Sequence, residues 1–294
     1  MGEHMGGRGR ATRLLSVALA CAVIVGLHRP ERVDAQEAAS PSLELLPNGA
    51  LYPLYRAGTA EPRVSGALLR DAEGRTYFDA ALGGRFGILR YGAEEPRGPW
   101  VWQLDLQASV HPRLNLGHIR QSMESADFRF ALPLTARRGR VALKLGYHHL
   151  SSHAGDEFLE RNPRFVRINY VRDAMLSGIT YQPTPDWVTY TEVAYAFYVA
   201  GGAEPWEVQL GAEYSPASAG CPGCGRPFVA VHGHLREEVG FGGSLNASAG
   251  WEWRSEGTDR YLRLGLEYRG GKSSQLEFFD RDERLFGLGI QIGP

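Results

Sequence analysis

The chain has 294 residues, of which 43% are hydrophobic and 22% are charged, and its formal net charge at pH 7 is −1. Proteins that bind nucleic acid usually carry a basic excess, so this charge balance argues against a nucleic-acid partner. From residue 36 onward the sequence has no apolar run long enough to cross a bilayer as a helix, which argues against a helical membrane protein.

The N-terminal residues 1–35 have the pattern of a cleaved secretory signal peptide. Three arginines precede the apolar run "LLSVALACAVIVGL" (14–27), which is too short to span a bilayer comfortably. The small-residue stretch "VDAQEA" follows, and Ala35 is the expected last residue to be removed. The sequence therefore predicts an exported protein.

The rest of the chain repeatedly alternates apolar and polar side chains. In the segment "WVWQLDLQASV", Trp102 and Leu104 point one way, whereas Gln103 and Asp105 point the other. The same alternation recurs in "PWEVQLGAEYS" (205–215), "GSLNASAGWEW" (243–253) and "YLRLGLEY" (261–268). A period of two residues is the signature of a β-strand and cannot arise from a helix.

These strands fit a membrane barrel better than a soluble β-sandwich, which also alternates. They read as about ten residues or longer, enough for a tilted bilayer crossing, whereas soluble strands average about five or six residues. Trp and Tyr stand at the ends of the apolar rows, as the interfacial girdles of a barrel require. We therefore predict an all-β, closed antiparallel transmembrane barrel of about twelve strands, with ten or fourteen as alternatives, in the cell outer membrane. Residues 61–294 form this barrel, and residues 36–60 form a periplasmic lead-in.

The connections between strands predict an orientation in the membrane. Short turns of such barrels face the periplasm and long loops face outward. The tight turns are 71–74, 136–140, 183–186 and 255–259, and the longer polar stretches are 112–125, 152–163 and 270–283. The segment 164–182 reads either as one long strand or as two.

Several stretches resemble an uncharacterised family of bacterial outer-membrane barrels that is known only as a domain of unknown function. They include "YHHLSSHAGDEF", "AEPWEVQLGAEYSP", "HLREEVGFGG" and "YRGGKSSQLEFF", and the resemblance runs over most of residues 50–294. It implies the location and the fold, and it brings no established activity.

The segment "YHHLSSHAGDEF" (147–158) also carries a candidate catalytic pair. On the strand 140–152, His149 and Ser151 continue the apolar, lipid-facing row, and His148 faces the lumen. Residues i and i+2 on one face of a strand have Cα atoms about 6.5–7 Å apart, a gap that a His ring nearly spans. A neighbouring base can activate a serine, and the base works better when a third group orients it. The alternative is that residue 149 already lies above the hydrocarbon, where polar side chains are ordinary.

This pair resembles the His-x-Ser of two barrel enzyme families, outer-membrane phospholipase A and the lipid A deacylases. The resemblance implies that Ser151 is the nucleophile and His149 the base, with Asn162 in the place of the phospholipase Asn or Glu160 in that of the deacylase Glu. Both families follow the serine with Asn and a small residue, whereas Ser152 and His153 follow here. No cofactor is expected, except calcium if the hydrolase hypothesis holds.

Metal and redox sites are weaker hypotheses. His148 and His149 point to opposite faces and cannot share one ion on a regular strand. His232 and His234 lie on one face and could hold a metal, but a luminal ion-pair network is the favoured interpretation. The motif "CPGC" (221–224) predicts a loop disulfide or unreactive thiols rather than redox activity.

Three functions remain open from the sequence. The first is an acyl-ester hydrolase of membrane lipids, either phospholipid or lipid A. The second is a non-enzymatic envelope barrel that binds or scaffolds through its outer loops, 152–163 and 270–283 among them, and the third is a narrow channel. The expected partners are membrane lipids and the outer-membrane bilayer, and the oligomeric state stays open.

Overall fold

The structure, a computed structural model, describes residues 41–92, 98–117, 122–217, 223–255 and 260–293. The predicted signal peptide lies outside these residues. Within them the strands and the one short helix are β1 (Ser42–Leu45), β2 (Val64–Asp71), β3 (Thr76–Gly92), β4 (Val101–Asn115), β5 (Ser122–Arg138), β6 (Val141–Ala154), α1 (Asp156–Arg161), β7 (Val171–Tyr181), β8 (Trp187–Ala200), β9 (Trp206–Tyr214), β10 (Arg226–Arg236), β11 (Gly243–Arg254), β12 (Tyr261–Lys272) and β13 (Asp282–Gly293). No helix in the described part of the chain has the length and apolar character needed to cross a membrane.

Strands β2–β13 close into a barrel, because each pairs antiparallel with its neighbours in the chain and β2 also pairs with β13. The predicted closed antiparallel barrel of twelve strands is therefore confirmed. Strand β1 lies outside this ring and pairs with the last residues of β3. The ambiguous segment 164–182 contains the single strand β7, which α1 precedes.

The barrel is apolar outside and polar inside, the reverse of a soluble protein. On β4, Gln103 and Asp105 are buried in the lumen while Trp102 is exposed on the outer face. Leu210 and Leu264, which a soluble fold would bury, have 43% and 44% of their surface exposed. The hydrocarbon of a membrane solvates such side chains at no hydrophobic cost, so the predicted assignment of the two faces holds.

The two ends of the barrel differ in their connections. One end, here called the turn end, has short connections such as 139–140 and carries the last residues of β13. The opposite end, the loop end, carries the long connections 155–170 and 273–281. The turn 71–74 also lies at the loop end, because β2 begins at the turn end and runs toward the loops. The prediction that groups 71–74 with the periplasmic turns is therefore wrong.

Inward-facing side chains form a network of ion pairs. The carboxylate of Asp79 accepts hydrogen bonds from Arg113 at 2.7 Å and from Arg269 at 2.6 Å. Glu252 likewise accepts from Arg263 at 2.5 Å. Buried charges need partners of this kind, and a small barrel fills its interior with side chains. The luminal network that the sequence favours is therefore present.

Residues 51–63 lie inside the barrel rather than in the periplasm, where the predicted lead-in 36–60 would put most of them. The ring of Tyr55 stacks on inward-facing Tyr190 with a centroid distance of 3.8 Å. The Tyr55 hydroxyl donates a hydrogen bond to Glu192 at 3.1 Å. Burial raises the pKa of Tyr55, so the hydroxyl keeps the proton that this hydrogen bond requires. The stack and the hydrogen bond together anchor this segment in the lumen.

The connection 273–281 covers the loop end of the lumen. Its Leu276 N–H donates to the buried carboxylate of Asp127 at 3.3 Å, and its Glu277 N–H donates to the Ser152 hydroxyl at 2.8 Å. A cavity of about 50 Å³ beside His111 has room for a few water molecules. A cavity of about 580 Å³ lies beside residues 46–56, Glu213 and Arg263. In the described residues, the segment 51–63 and the connection 273–281 occupy the lumen, which gives no support to the channel hypothesis.

Removing the Asp79 carboxylate is expected to cost more stability than removing any exposed acid. Asp79→Ala would remove the carboxylate that Arg113 and Arg269 share and leave each guanidinium with one acidic partner, Glu283 and Glu267 respectively, a loss of about 2–3 kcal/mol in the free energy of unfolding. Urea unfolding of the refolded barrel in detergent, followed by Trp fluorescence, measures this loss. The matched control is Asp282→Ala, whose side chain is 79% exposed beside Lys272 and whose loss should stay below about 1 kcal/mol. Equal losses in the two variants would contradict the assignment.

Candidate active site on the outer wall

Near its loop end, β6 presents a row of polar side chains on the outer face of the barrel. Tyr147, His149, Ser151 and His153 alternate along this row with residues that face the lumen, and His148 is one of these inward residues. His149 has 37% of its side-chain surface exposed, whereas that of His148 is 1% exposed. On a wall lined largely by apolar side chains such as Leu145 and Phe130, a histidine and a serine are costly in hydrocarbon, so their position there calls for an explanation.

Asp173 on the neighbouring strand β7 holds the imidazole ring of His149. The two residues face each other in the register of β6 and β7, and Nδ1 of His149 lies 2.9 Å from Oδ1 of Asp173. The hydroxyl of Tyr147 donates to the same carboxylate oxygen at 2.5 Å. With Nδ1 bonded to a carboxylate, the second ring nitrogen, Nε2, is the one left to act as a base.

Ser151 follows His149 on the same face, two residues closer to the loops. Among the described hydrogen bonds, those of His149 reach Asp173 and none reaches Ser151. The Cα separation of about 6.5–7 Å between such residues is short enough for side-chain rotations to bring the serine hydroxyl to the ring. Catalytic hydrogen bonds are often long before substrate binds, so the lack of a hydrogen bond between His149 and Ser151 among the described contacts is compatible with a catalytic role.

The two residues that the sequence proposed as orienting groups, Asn162 and Glu160, lie elsewhere. The chain after β6 forms the helix α1 instead of turning directly into a strand. Glu160 is exposed on this helix, and Asn162 ends it by donating a side-chain hydrogen bond to the carbonyl of Phe158 at 2.8 Å. The structure therefore places Asp173, and neither of these residues, beside His149.

Sequence reasoning missed Asp173, although a signal for it exists. In "VRDAMLSGITY" (171–181), Asp173 shares the outward row with Met175 and Ile179. A carboxylate in a lipid-facing row has the same anomaly that draws attention to His149. The start of β7 has to be known before Asp173 can be assigned to the outward row. The sequence leaves this open, because the segment 164–182 reads as one strand or as two.

A second serine–histidine pair lies inside the barrel. The hydroxyl of Ser109 and Nε2 of His111 are 2.8 Å apart on β4, and both residues are buried. Their distance is better for proton transfer than that of the outer pair. A membrane lipid cannot reach them, however, because the lumen is filled by residues 51–63 and by the connection 273–281. Location therefore favours the outer pair.

The described residues contain no group of three or more His, Cys, Asp or Glu side chains arranged to hold a metal ion. His232 pairs with the hydroxyl of Tyr190 at 3.0 Å, and His234 pairs with Glu207 at 3.1 Å. Each of these two histidines thus has its own protein partner, in line with the luminal network that the sequence favours over a metal site.

Calcium fits the outer row poorly. A Ca²⁺ ion takes six to eight oxygen ligands, usually with several carboxylates among them. On β5 to β8 around Ser151, the outward-facing carboxylate is that of Asp173, and it is already bonded to Tyr147 and His149. The residues present do not form a calcium site, and no catalytic step is assigned to the ion.

The motif "CPGC" is described only in part. Cys224 is disulfide-bonded, and Cys221 lies outside the described residues. A bonded Cys224 agrees with the predicted loop disulfide more than with a free thiol.

Comparisons with known proteins identify the fold. A family model described as "Protein of unknown function (DUF1207)" matches residues 29–293. The structure of outer membrane phospholipase A from Escherichia coli is similar with a TM-score of 0.53 and 12% identity, over 82% of this chain and 95% of that chain. The calcium-bound dimer of the Salmonella typhi outer membrane phospholipase gives a TM-score of 0.52 and 12% identity, over 82% of this chain and 94% of that chain. No curated protein matches the sequence.

These likenesses confirm the predicted resemblance to outer-membrane barrels. At 12% identity they show a shared fold and carry no information about activity. What this chain does must be argued from its own side chains.

Proposed function

Since the chain belongs to the DUF1207 family of proteins of unknown function, we propose its activity from its outer wall: an outer-membrane acyl-ester hydrolase that acts on membrane lipids. Ser151 is the nucleophile, His149 the general base, and Asp173 the group that orients the base. The observation that carries this proposal is the 2.9 Å hydrogen bond between Nδ1 of His149 and Asp173. It supplies the third member of a triad that neither Asn162 nor Glu160 provides.

The reaction proceeds through an acyl-enzyme. Nε2 of His149 takes the proton of the Ser151 hydroxyl while Oγ attacks the ester carbonyl carbon. The carbon–oxygen bond to the lipid alcohol then breaks, and the imidazolium of His149 returns the proton to the leaving oxygen. A water molecule attacks the acyl-serine in the second half, its proton passes through His149, and the free fatty acid and the serine are released. The Asp173 carboxylate stabilises the imidazolium in both halves.

The position of the site supports a lipid substrate. Ser151 lies on the apolar outer wall, three residues before β6 ends at the loop end of the barrel. Aromatic side chains surround it, with Tyr147 stacked on Phe197 at 6.2 Å and Phe130 opposite His149 in the register of β5 and β6. An ester at the head-group level of the bilayer therefore meets the serine without the lipid leaving the membrane.

A serine-directed probe tests the proposal without knowledge of the natural lipid. An alkyl fluorophosphonate forms a bond from the serine oxygen to phosphorus and releases fluoride, provided that a base removes the serine proton. We expect peptide mapping by mass spectrometry to find the label on Ser151. His149→Gln should slow labelling by more than about 100-fold, the contribution typical of a general base.

The matched control is His153→Gln, which changes the same residue type on the same face of the same strand. This variant should be labelled at a rate close to that of the wild type. Absence of label on Ser151, or label that persists unchanged in His149→Gln, would overturn the proposal. Either result would favour the non-enzymatic barrel that binds through its outer loops.

A further inference from the structure

An apolar groove crosses the outer wall of the barrel on strands β13, β2, β3 and β4. Its volume is about 410 Å³, and apolar groups make up nearly all of its surface. The lining residues are Val64, Ser65, Gly66, Phe78, Ala80, Leu82, Pro112, Leu114, Ile290 and Ile292. The groove is open on the side that the proposed location turns toward lipid, so it takes a ligand from the bilayer rather than from water.

The groove exists because the residues along its floor are small. Gly66 is the register partner of Ala80, and Pro112 lines the groove beside them on the next strand, β4. At Gly66, a Cβ atom would come within 2.8 Å of the ring of Phe78, so a larger residue would displace that wall of the groove. Phe78 and Leu82 lie on either side of Ala80 along β3 and form two side walls of the groove.

The register of the barrel connects this groove to the proposed nucleophile. Leu82 is the partner of Val110, Val110 of Phe128, and Phe128 of Ser151. These residues form one row of outward side chains across four neighbouring strands. Strands in a sheet are about 4.8 Å apart, so Ser151 lies three strands and about 14 Å from Leu82, at the edge of the groove.

The floor of the groove points in the same direction. The row of small residues continues from Pro112 to Ala126, whose register partner is His153. At this point the rings of Phe128 and His153 stand with their centroids 6.0 Å apart. Ala126 is 7% exposed, so the row of small residues reaches the histidine that follows Ser151 as a closely packed seam of the wall.

We propose that this groove holds the acyl chain of the lipid whose ester reacts at Ser151. The inference rests on the proposed hydrolase function and adds a substrate class to it, namely esters of long fatty acids. A chain must first cover the roughly 14 Å from Ser151 to the groove, which needs about a dozen carbons, before its end enters. Short acyl chains reach the serine and leave the groove empty. The groove selects long chains by fit, because the carbons beyond the first dozen pack against its side chains and gain van der Waals contacts that a short chain cannot make.

Filling the groove tests this assignment. Ala80→Trp places an indole on the floor, and Ala80→Leu is a milder second variant in case the larger residue disturbs folding. Hydrolysis is measured in the same detergent on two phosphatidylcholines that differ only in acyl length, with six and with sixteen carbons. We expect KM for the sixteen-carbon lipid to rise by about threefold or more in Ala80→Trp, because the end of its chain loses its contacts with the groove, and KM for the six-carbon lipid to stay unchanged. The matched control is Ala249→Trp, an alanine exposed on the outer face of β11.

The outcomes separate the two proposals. If the wild-type barrel hydrolyses neither lipid, the proposed function falls, and the substrate role of the groove falls with it. If both lipids are hydrolysed and Ala80→Trp affects them equally, or affects neither, the function stands and the groove assignment is wrong. A change in the oligomeric state of Ala80→Trp, measured by light scattering, would instead identify the groove as a contact between two copies of the chain.

Discussion

The Ser151→Ala barrel is expected to release fatty acid from phospholipid micelles about 10³- to 10⁶-fold more slowly than the wild type, because the nucleophile of a serine–histidine site is lost. Ser151 is flanked on its own face by His149 and His153, and of these two histidines His149 is the one whose ring is bonded to a carboxylate among the described contacts. Attack on the ester carbonyl by this serine is the step that nothing else on the outer wall replaces. Fatty-acid release under conditions of excess lipid measures kcat directly.

Two serine variants make this result specific. Ser177→Ala changes an exposed serine on the same outer wall, in the row of Asp173, and should leave kcat within about twofold. Ser109→Ala removes the buried serine of the luminal pair with His111, and it should also leave hydrolysis intact. Loss of activity in Ser109→Ala together with full activity in Ser151→Ala would move the reaction into the lumen and end the outer-wall assignment.

The fold was predictable because the strands of a membrane barrel alternate apolar residues that face lipid with polar residues that face the lumen. The four segments quoted for their alternation all became strands, with polar side chains such as Asp105 and Glu252 inside and leucines outside. A slip by one residue would put every charge into hydrocarbon, so the pattern fixes the register strongly. Counting such segments along the whole chain gave about twelve strands, with ten or fourteen as alternatives, and this count needed no tertiary information.

The content of the lumen was not predictable in the same way. The segment 51–63 has no periodic pattern, and its place depends on partners far away in the chain, such as Tyr190 and Glu192. Tyr55 reads as an ordinary aromatic residue of a linker until the inward face of β8 is known. The turn 71–74 was misassigned for a related reason, since turn length alone does not reveal the direction of the strand before it.

The candidate site was likewise predictable only in part. His149 and Ser151 are two residues apart on one strand, so their common face follows from periodicity alone. Their orienting partner comes from the next strand, 24 residues away from His149, and only the pairing of β6 with β7 brings it there. The sequence prediction placed this partner in the nearest polar stretch, at Asn162 or Glu160. The helix α1, which occupies that stretch, carries both of them away from the row.

Replacing Asp173 is therefore expected to damage catalysis where replacing Asn162 or Glu160 does not. Asp173→Ala removes the acceptor that fixes the ring of His149, and kcat should fall by about 10²- to 10⁴-fold, as in other serine–histidine sites that lose their carboxylate. Because Asp173 acts through the base and does not touch the substrate, KM should stay nearly constant. Asp173→Asn keeps the shape of the side chain, but its amide N–H can donate to Nδ1 and hold the wrong tautomer of His149, so its loss should be at least as large as that of the alanine variant, about 10⁴-fold.

The controls for this prediction come from the residues that the sequence alone put forward. Asn162→Ala and Glu160→Ala should each leave kcat within about threefold, since neither contacts His149 among the described residues. Asp156→Ala removes another aspartate from an exposed position on α1 and should also leave kcat unchanged. If Asn162→Ala lowers kcat as far as Asp173→Ala does, the loop must fold back onto β6 during catalysis. The triad would then be the one that the phospholipase resemblance implied, and the resting contact between His149 and Asp173 would have to break before each turnover.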